Sequence, residues 1–344
     1  MTTAWTPVGD REVRVGVIGL GTMGRNHVRV LRGLPRVRLA AVADPDLAAI
    51  AAFGSDGGAQ AFAEPMALLA EADLDGVVIA APTTSHLPLA LAAIERGLAV
   101  LIEKPLAATP AEADLIVSAA AAYGAPPVQV GHIERFNPAI LELGKVLDAG
   151  WLSTVFAISS RRAGPFPARI RDVGVTVDLA THDVDILCAV AGERPVRVSA
   201  ETARRIHADH EDLLFGLLSF PSGAVAMLDV DWLTPAKRRQ LTVLGDEGMF
   251  ELDYLTQRLT FARATDTANP RLIGGYAPTF ESSIAELRVT TGEPLAAELA
   301  AFVQVIRDGG RPLVDAAAGR WAVLIADALL TAARERRTVE LVEA

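Results

Sequence analysis

The 344-residue sequence has very little cysteine and a deficit of positive charge. Cys188 is the single cysteine, so a disulfide within the chain is excluded, and such usage is typical of the reducing cytoplasm. The chain has 42 acidic and 32 basic residues, and the net charge of -10 argues against nonspecific binding to nucleic acid or to an anionic membrane. An anionic ligand must therefore be met by a local cluster of positive charge.

The sequence also leads us to expect neither a secretory leader nor a long apolar run. Residues 1–12 have neither the basic start nor the apolar stretch of a secretory signal. No run approaches the ~20 apolar residues that a helix needs to cross a bilayer, and much of the 51% hydrophobic content is alanine in amphipathic segments. We therefore expect a cytoplasmic protein that neither spans nor binds a membrane.

Short β-rich runs alternate with Ala/Leu-rich helical runs from residue 13 to about residue 132. Such alternation predicts a parallel sheet with helices on both faces, the doubly wound Rossmann arrangement. A chain of this length is also expected to contain more than one domain. We therefore predict an α/β protein whose first domain covers residues 1–132.

The pattern changes after residue 150, where four strand-like runs occur without the Ala/Leu-rich helices between them. They are LLFGLLSF, AVAMLDVDW, RQLTVLG and MFELDY, and the turn sequences PSG and DEG join two pairs of them. This order predicts an antiparallel sheet in a second domain, residues 133–344. Helices are expected at about 138–149, 294–308 and 316–336, and the last two could pack back on the first domain.

The run VGVIGLGTMG sets three glycines in a G-x-G-x-x-G pattern between a predicted strand and a predicted helix. Such glycines permit a tight turn and let a pyrophosphate approach backbone N–H groups at the helix N-terminus. Asp44 ends the second strand twenty residues later, where a carboxylate accepts hydrogen bonds from the adenosine ribose. The predicted cofactor loop comprises Gly19, Gly21, Thr22, Met23 and Gly24.

The residues after Asp44, PDLAAIAAF, include no arginine or lysine to receive a 2′-phosphate, which favours NAD over NADP. Two further strand ends, AAPTTSH and IEKP, lead to the same edge of the predicted sheet. There His86 is either a helix-start residue or part of the cofactor site, and Lys104 is either a surface charge or aimed at the substrate. The residues added to the cofactor site are Pro82, Thr83, His86, Glu103 and Lys104.

The helix-like run DLATHDVDILCAVAG, residues 178–192, carries a polar stripe through apolar surroundings. Asp178, His182 and Asp185 recur at spacings of four and three, which place side chains on one helical face. Either the stripe faces a reaction site, or Asp178 and His182 form a buried polar pair within the packing. Asp185 is interpreted as structural and Asp183 as a solvated charge.

The glycine motif, APTTSH, EKP and DLATHDVDIL occur in an order that resembles the Gfo/Idh/MocA family of NAD(P)-dependent oxidoreductases. The resemblance runs through nearly the whole chain. It implies an N-terminal Rossmann domain and a C-terminal α+β domain with a large, open, mostly antiparallel sheet. It also implies activity on sugars, inositols or nucleotide sugars, with catalytic residues at Lys104, Asp178 and His182.

This resemblance implies hydride transfer to a nicotinamide, coupled to proton transfer from a hydroxyl group. His182 is expected to be the general base, because imidazole titrates near neutrality. Lys104 would stabilise the developing alkoxide, and Asp178 would orient the substrate or bias the charge of the histidine. No metal is expected, because His207 and His210 fit neither a helical pair nor a zinc site with a second ligand pair.

Two stretches, GHIERFNPAI and residues 161–183, look like the branch that contains UDP-N-acetylglucosamine 3-dehydrogenases, as does the tail EPLAAELAAFVQVI. Guanidinium groups suit a diphosphate. The alternative is a basic loop on a solvated face. The arginines before the catalytic helix are Arg161, Arg162, Arg169 and Arg171. Arg135 is the further candidate, and the predicted substrate-binding set is Arg135, Arg161, Arg162, Asp178 and His182.

The leading hypothesis is therefore NAD-dependent oxidation of the 3-hydroxyl of a nucleotide-linked amino sugar. An inositol or free-sugar dehydrogenase would need no diphosphate site, and a keto-sugar reductase would run the reaction in reverse. A dinucleotide-binding sensor could dispense with Lys104 and His182, both of which are present. Because an open sheet leaves one broad face to be covered, we also expect a homodimer or homotetramer.

Overall fold

Six strands of the chain form one parallel sheet. The structure, a computed structural model, describes residues 4–53, 58–167, 173–263, 271–273, 277–279 and 284–341. The sheet order is β3-β2-β1-β4-β5-β6, and every neighbouring pair is parallel. Its strands are β1 (Val13–Ile18), β2 (Val37–Ala43), β3 (Gln60–Phe62), β4 (Gly76–Ile79), β5 (Ala99–Glu103) and β6 (Val128–Gly131). The strand order reverses between β1 and β4, which is where ligands bind in such sheets.

Helices flank this sheet and, with it, make up most of one compact unit. The unit comprises Met1–Phe136 and Glu293–Asp327, so the chain returns to it late. The sheet face that carries Val13, Val15 and Leu101 packs with Leu299 and Phe302, which come from the late segment. The helices are α1 (Thr22–Gly33), α2 (Leu47–Phe53), α3 (Pro65–Glu71), α4 (His86–Glu95), α5 (Pro110–Ala120) and α8 (Pro294–Asp308). The predicted Rossmann arrangement is confirmed.

The start of α5 shows how local sequence fixes a helix. Thr109 Oγ1 accepts a hydrogen bond from the backbone N–H of Glu112 at 3.2 Å, and Pro110 occupies the first turn. The Glu112 carboxylate reaches back to the backbone N–H of Ala108 at 3.0 Å. These reciprocal bonds satisfy N–H groups that a helix leaves without partners.

A nine-stranded sheet dominates the second unit, which comprises Asn137–Gly292 and Ala328–Ala344. Its order is β16-β13-β12-β11-β7-β10-β9-β8-β17. Among the described strands only β7 and β10 pair in parallel, so the sheet is mostly antiparallel as predicted. The strands are β7 (Val155–Ala163), β8 (Arg197–Ala203), β9 (Leu213–Ser219), β10 (Val225–Asp231), β11 (Arg238–Gly245), β12 (Gly248–Asp253), β13 (Arg258–Arg263), β16 (Ile284–Leu287) and β17 (Val339–Glu340). A separate hairpin joins β14 (Arg271–Ile273) to β15 (Ala277–Thr279).

Helices α6 (Pro138–Asp148) and α7 (Thr181–Ala191) belong to this unit. Asn137 caps α6 by accepting the N–H of Ala139 at 3.1 Å, as the Asn-Pro start predicts. A single π-helical turn, Thr176–Ala180, leads directly into α7. The sequence pattern predicts an ordinary α-helix from residue 178, so this turn is a departure from the prediction.

The last helix, α9 (Ala316–Glu335), contributes residues to Asp327 to the first unit and the remainder to the second. It is long and apolar enough to meet the composition criteria for a membrane span, with a mean hydropathy of 1.4. Arg320 and Asp327 interrupt its apolar residues, so the helix does not contradict the sequence expectation that no run approaches ~20 apolar residues. More than half of the helix window, 56%, is buried within the protein, as is usual for a core helix.

Candidate active site

The glycine loop between β1 and α1 is built around missing side chains. A Cβ on Gly24 would lie 1.7 Å from the carbonyl oxygen of Gly19, and one on Gly19 would lie 2.5 Å from that of Ala80. Gly19 also has a φ of +92°, a conformation that other residues rarely adopt. A Cβ on Gly21 would instead have no atom of the described residues within 4 Å. Two glycines therefore allow close packing, and Gly21 leaves room for a ligand to approach the backbone.

Thr22 and Met23 form the first turn of α1, and Gly21 is its N-cap without any side-chain hydrogen bond. The N–H groups of this turn can thus serve an anion. Asp44, directly after β2, accepts the N–H of Leu20 at 2.6 Å and that of Asp46 at 2.8 Å. Each carboxylate oxygen retains a lone pair, which suits two ribose hydroxyls. These residues fit a dinucleotide.

The loops after β4 and β5 are tied together by His86. Its Nδ1 lies 2.9 Å from the carbonyl oxygen of Pro105, and its Nε2 lies 3.0 Å from that of Ala81. Burial lowers the pKa of His86 and outweighs the opposite effect of these carbonyls. The ring is 1% exposed, so His86 holds the loop that carries Pro82 and Thr83 rather than presenting an open ring.

Glu103 and Lys104 mark the carboxyl end of β5. Glu103 is 7% exposed, and its Oε1 lies 2.7 Å from His27 Nε2. Its Oε2 accepts the backbone N–H of Lys104 at 3.2 Å. Burial favours the neutral acid, but the hydrogen bond and charge of His27, followed by Lys104, lower the pKa of Glu103 below its ordinary value. Glu103 is thus a buried carboxylate that contacts the backbone of the half-buried Lys104.

In the second unit, Asp178 and His182 are both half-buried, whereas Asp185 is 3% exposed. Asp178 belongs to the π-helical turn and His182 to the first turn of α7. The start of this segment is held by Glu211, whose Oε1 accepts the N–H of Thr176 at 3.1 Å. Glu211 lies 35 positions away in sequence, and no local pattern points to it.

Asp183 is buried at 1% exposure, so the interpretation of a solvated charge is wrong. It accepts hydrogen bonds from Ser160 Oγ at 2.7 Å and from Arg162 Nε at 2.6 Å. The Arg162 guanidinium also lies 5.4 Å from the centre of the Tyr254 ring. The buried ion pair between Arg162 and Asp183 therefore connects α7 to β7.

The structure does not bring Arg161 and Arg162 together, because adjacent residues of a strand point to opposite faces. Arg162 lies on the face that α7 covers, whereas Arg161 lies on the other face and pairs with Asp229 at 3.1 Å. Arg169 and Arg171 lie outside the described residues. Arg135 is half-buried in the 3-10 turn Ile133–Phe136 of the first unit.

The two predicted loop histidines also occupy a defined place. His207 Nδ1 accepts the backbone N–H groups of Asp209 and His210 at 3.1 and 3.0 Å. The His207 ring stacks on that of Trp232 with 6.2 Å between ring centres. Within the described ranges, no group of three or more His, Cys, Asp or Glu side chains is arranged to hold a metal ion.

Known sequence families match both parts of the chain. The oxidoreductase family with an NAD-binding Rossmann fold matches residues 13–132. The Gfo/Idh/MocA C-terminal domain matches residues 140–251. These matches cover the glycine loop, the strand ends and the segment that carries Asp178 and His182.

Curated relatives include inositol 2-dehydrogenase 2 of Saccharopolyspora erythraea, 34% identical over 225 residues, or 63% of this chain and 66% of that protein. The chain thus spans just under two thirds of that relative. Inositol 2-dehydrogenase 3 of the same organism is 30% identical over 246 residues, which are 70% of this chain and 73% of that protein.

UDP-N-acetylglucosamine 3-dehydrogenase of Acidithiobacillus ferrooxidans is 29% identical over 309 residues, 90% of this chain and 93% of that protein. Its solved structure superposes with a TM-score of 0.82 at 27% identity and covers 94% of this chain and 98% of that one. The relatives therefore agree with the ordered motifs and with the fold of each unit. The chain belongs to the Gfo/Idh/MocA family of NAD-binding oxidoreductases.

Proposed function

We propose that the protein is a cytoplasmic dehydrogenase that oxidises a secondary hydroxyl of a sugar substrate with NAD. The observation that carries this proposal is the open space at Gly21 beside the ribose-binding geometry of Asp44, in a family of NAD-binding oxidoreductases. The glycine loop and Asp44 would hold the dinucleotide. When bound, its nicotinamide accepts the hydride.

The protein side chains remove the hydroxyl proton and stabilise the negative charge that develops on the oxygen. His182 takes the hydroxyl proton as the general base, and the Lys104 ammonium donates a hydrogen bond to the same oxygen as negative charge develops. Asp178 precedes His182 by four residues and either orients the sugar or biases the histidine charge. The half-buried state of each of these three residues supports their access to a ligand.

The substrate proposed first is a nucleotide-linked amino sugar such as UDP-N-acetylglucosamine, oxidised at its 3-hydroxyl. The support is the match over 90% of the chain to an enzyme named for that reaction. Arg162 gives this proposal less support than the sequence suggested, since its guanidinium is engaged by Asp183. Arg135 is the described arginine that remains a candidate for the diphosphate.

An inositol or free-sugar dehydrogenase is the second candidate. The observation that favours it is the 34% identity with an inositol 2-dehydrogenase, although over a shorter part of the chain. Such an enzyme needs no diphosphate site, so an Arg135→Ala variant separates the two. Only a nucleotide-sugar enzyme should lose substrate affinity strongly, by about tenfold or more.

The first experiment mixes the purified protein and NAD with UDP-N-acetylglucosamine, inositols and free sugars, and follows reduced nicotinamide. We expect turnover with the nucleotide sugar and none with Lys104→Ala, for which Lys145→Ala on the surface of α6 is the matched control. Turnover with inositol alone would replace the first substrate by the second. Silence with every sugar, with NAD binding intact, would favour a keto-sugar reductase or a dinucleotide sensor.

We also propose that a second copy of the chain covers the exposed face of the nine-stranded sheet. Phe215, Leu217, Val225 and Met227 are 48, 51, 42 and 45% exposed there, and Leu217 lies directly opposite Met227. Large exposed apolar patches mark interaction sites, and a shared face gives a symmetric dimer or part of a tetramer. Light scattering should give twice or four times the chain mass, and Met227→Lys should lower it. A wild-type monomer would contradict the proposal.

A further inference from the structure

Four buried polar side chains come from four different elements of the first unit. His27, Gln129 and Glu298 are 0% exposed and Glu103 is 7% exposed. They belong to α1, β6, α8 and β5 respectively. Such a cluster inside an otherwise apolar core is costly unless its members satisfy one another.

The register of β5 and β6 explains how they meet. Leu101 pairs with Gln129 and Glu103 with Gly131, so Glu103 and Gln129 project to the same face as Leu101. Leu101 packs with Leu299 of α8 on that face. Gly131 makes room for the acid, since a Cβ there would lie 3.1 Å from Glu103 Oε2.

The hydrogen bonds of the cluster satisfy some of its polar atoms and leave others without a partner among the described residues. Glu103 is bonded to His27 Nε2 and to the Lys104 N–H, and Gln129 Nε2 donates to the backbone carbonyl of Glu298 at 3.3 Å. Within the described residues, His27 Nδ1, Gln129 Oε1 and both carboxyl oxygens of Glu298 have no hydrogen-bond partner. The Glu298 side chain is thus fully buried, and the described part of the chain offers its carboxyl group no hydrogen-bond donor.

The two acids of the cluster are consequently in different charge states. An ionised carboxylate without donors in an apolar core is strongly unfavourable, and Glu103 already carries a negative charge nearby. Burial first, and then this charge, raise the pKa of Glu298 well above its ordinary value. The protonated acid has an O–H to donate, in a cluster where Gln129 Oε1 is an acceptor without a donor.

The other elements of the cluster contribute further polar and ionisable groups. His27 comes from α1, and Glu103 comes from β5 with Lys104 following it. From β6 come the uncharged Gln129 and, just after the strand, the buried His132. Two neighbouring carboxyl groups whose environments shift their pKa values in opposite directions are a common arrangement beside reactive groups.

We propose that Glu298 is a positioning residue. As an uncharged acid, it completes the packing of the core around the ionised Glu103. Glu103 in turn holds the backbone of Lys104 in place. This inference rests on the proposed function insofar as Lys104 serves the reaction. The charge state of Glu298 and the placement of Lys104 can nevertheless be measured without any substrate.

The charge state is tested by stability against pH in the full chain with Glu298→Gln. An unfolded glutamate ionises near pH ~4.3, whereas the folded one keeps its proton, so the wild type loses stability as the pH rises above that value. Glutamine has no proton to lose. The unfolding constant of the variant should therefore fall relative to that of the wild type by up to about tenfold per pH unit from pH ~5 upward. If the ratio of the two unfolding constants does not change with pH, the proposal that Glu298 is uncharged is wrong.

The placement of Lys104 is tested by trace acetylation and mass spectrometry. The chain has only three lysines, and Lys145, with a 72% exposed side chain, is the internal reference. We expect Glu298→Leu to change the labelling of Lys104 relative to Lys145 by about threefold or more, whereas Glu298→Gln restores nearly the wild-type ratio. Val303→Ala, which removes a buried side chain from the same helix, is the control for general destabilisation.

Kinetics supply the second measure once a substrate is in hand. Glu298→Leu should lower kcat by about tenfold with KM for NAD nearly unchanged, and Val303→Ala should leave kcat near the wild-type value. Unchanged Lys104 labelling and unchanged kcat in Glu298→Leu would reduce Glu298 to a packing residue. If the wild type turns over no sugar while labelling responds as stated, the proposed function fails and the positioning role stands.

Discussion

The glycine loop of the first unit and the α7 segment of the second hold their polar groups by opposite means. In the loop, the absence of side chains at Gly19 and Gly24 permits tight packing, and the groups proposed to face the ligand are backbone N–H groups. In the α7 segment, the side chains proposed to act in catalysis lie on a helical segment that other side chains hold in place. Arg162 and Asp183 form the buried ion pair beneath it, and Glu211 holds its start.

This difference teaches where each site is vulnerable. A backbone-built site fails when an atom is added, because the loop has no room for it. A site built on a buried ion pair fails when an atom is removed, because the remaining charge loses its partner. The two units should therefore respond oppositely to substitutions of similar size.

The largest effect is expected in the second unit. Asp183→Ala leaves the Arg162 guanidinium buried without its carboxylate and should lower the free energy of unfolding by about 3–5 kcal/mol. Urea denaturation measures this. A control that removes both charges, Arg162→Met with Asp183→Leu, should recover most of the loss. A cost below about 1 kcal/mol for Asp183→Ala would mean that the pair does not hold α7.

A smaller effect is expected for Gly24→Ala in the first unit. The added Cβ would overlap the Gly19 carbonyl and should cost about 1–3 kcal/mol, together with NAD affinity. Gly21→Ala is the matched control, because its Cβ would meet none of the described atoms within 4 Å. It should keep stability within about 0.5 kcal/mol while weakening NAD binding, measured by calorimetry. Equal stability losses in both variants would contradict the distinction between the two glycines.

The smallest effect concerns Asp75, just before β4, which is a carboxylate held by arginines in the first unit. Burial would raise the pKa of Asp75, but hydrogen bonds from Arg11 and Arg14 lower it to about 2. The lowered pKa stabilises the fold above pH ~4, and this contribution is lost as the pH falls toward 2. Asp75→Asn should therefore cost at most about 2 kcal/mol at pH 7, since Arg11 and Arg14 are partly exposed.

Acid titration of wild type and Asp75→Asn, followed by circular dichroism, checks this sign. The two curves should converge only below pH 2, because the wild-type carboxyl, with a pKa of about 2, is half protonated at that pH. A gap that persists well below that pH would assign the cost to lost packing rather than to charge. The comparison with Asp183 then measures how much the deeper burial of a carboxylate–arginine pair adds.

Features that depend on neighbouring residues could be predicted from the sequence. The glycine pattern and the place of Asp44 at a strand end follow from a few adjacent positions, and the structure has them as expected. The caps at Thr109 and Asn137 are equally local, since each side chain accepts an N–H within three positions. The parallel and antiparallel sheets follow from the spacing of strands and helices. Their outlines needed no long-range information.

Features that depend on distant partners could not be predicted in this way. Asp183 is buried because Ser160 and Arg162 face it from β7, and nothing in the helix sequence announces this. The adjacent Arg161 and Arg162 suggested a cluster of positive charge, but both belong to strand β7 and therefore point to opposite faces of the sheet. Glu298 did leave a signal, because it follows Leu295 by three residues and thus belongs to the apolar stripe of α8.

The late return of the chain to the first unit has a consequence for synthesis on the ribosome. The apolar layer of the parallel sheet needs Leu299 and Phe302, which follow all of the sheet's strands by more than 160 residues. Domains generally fold as units while the chain emerges, but this one stays incomplete until nearly the whole chain has been made. During that interval the apolar face that Leu299 and Phe302 later cover stays exposed, so slow translation or a missing chaperone should harm the folding of this unit.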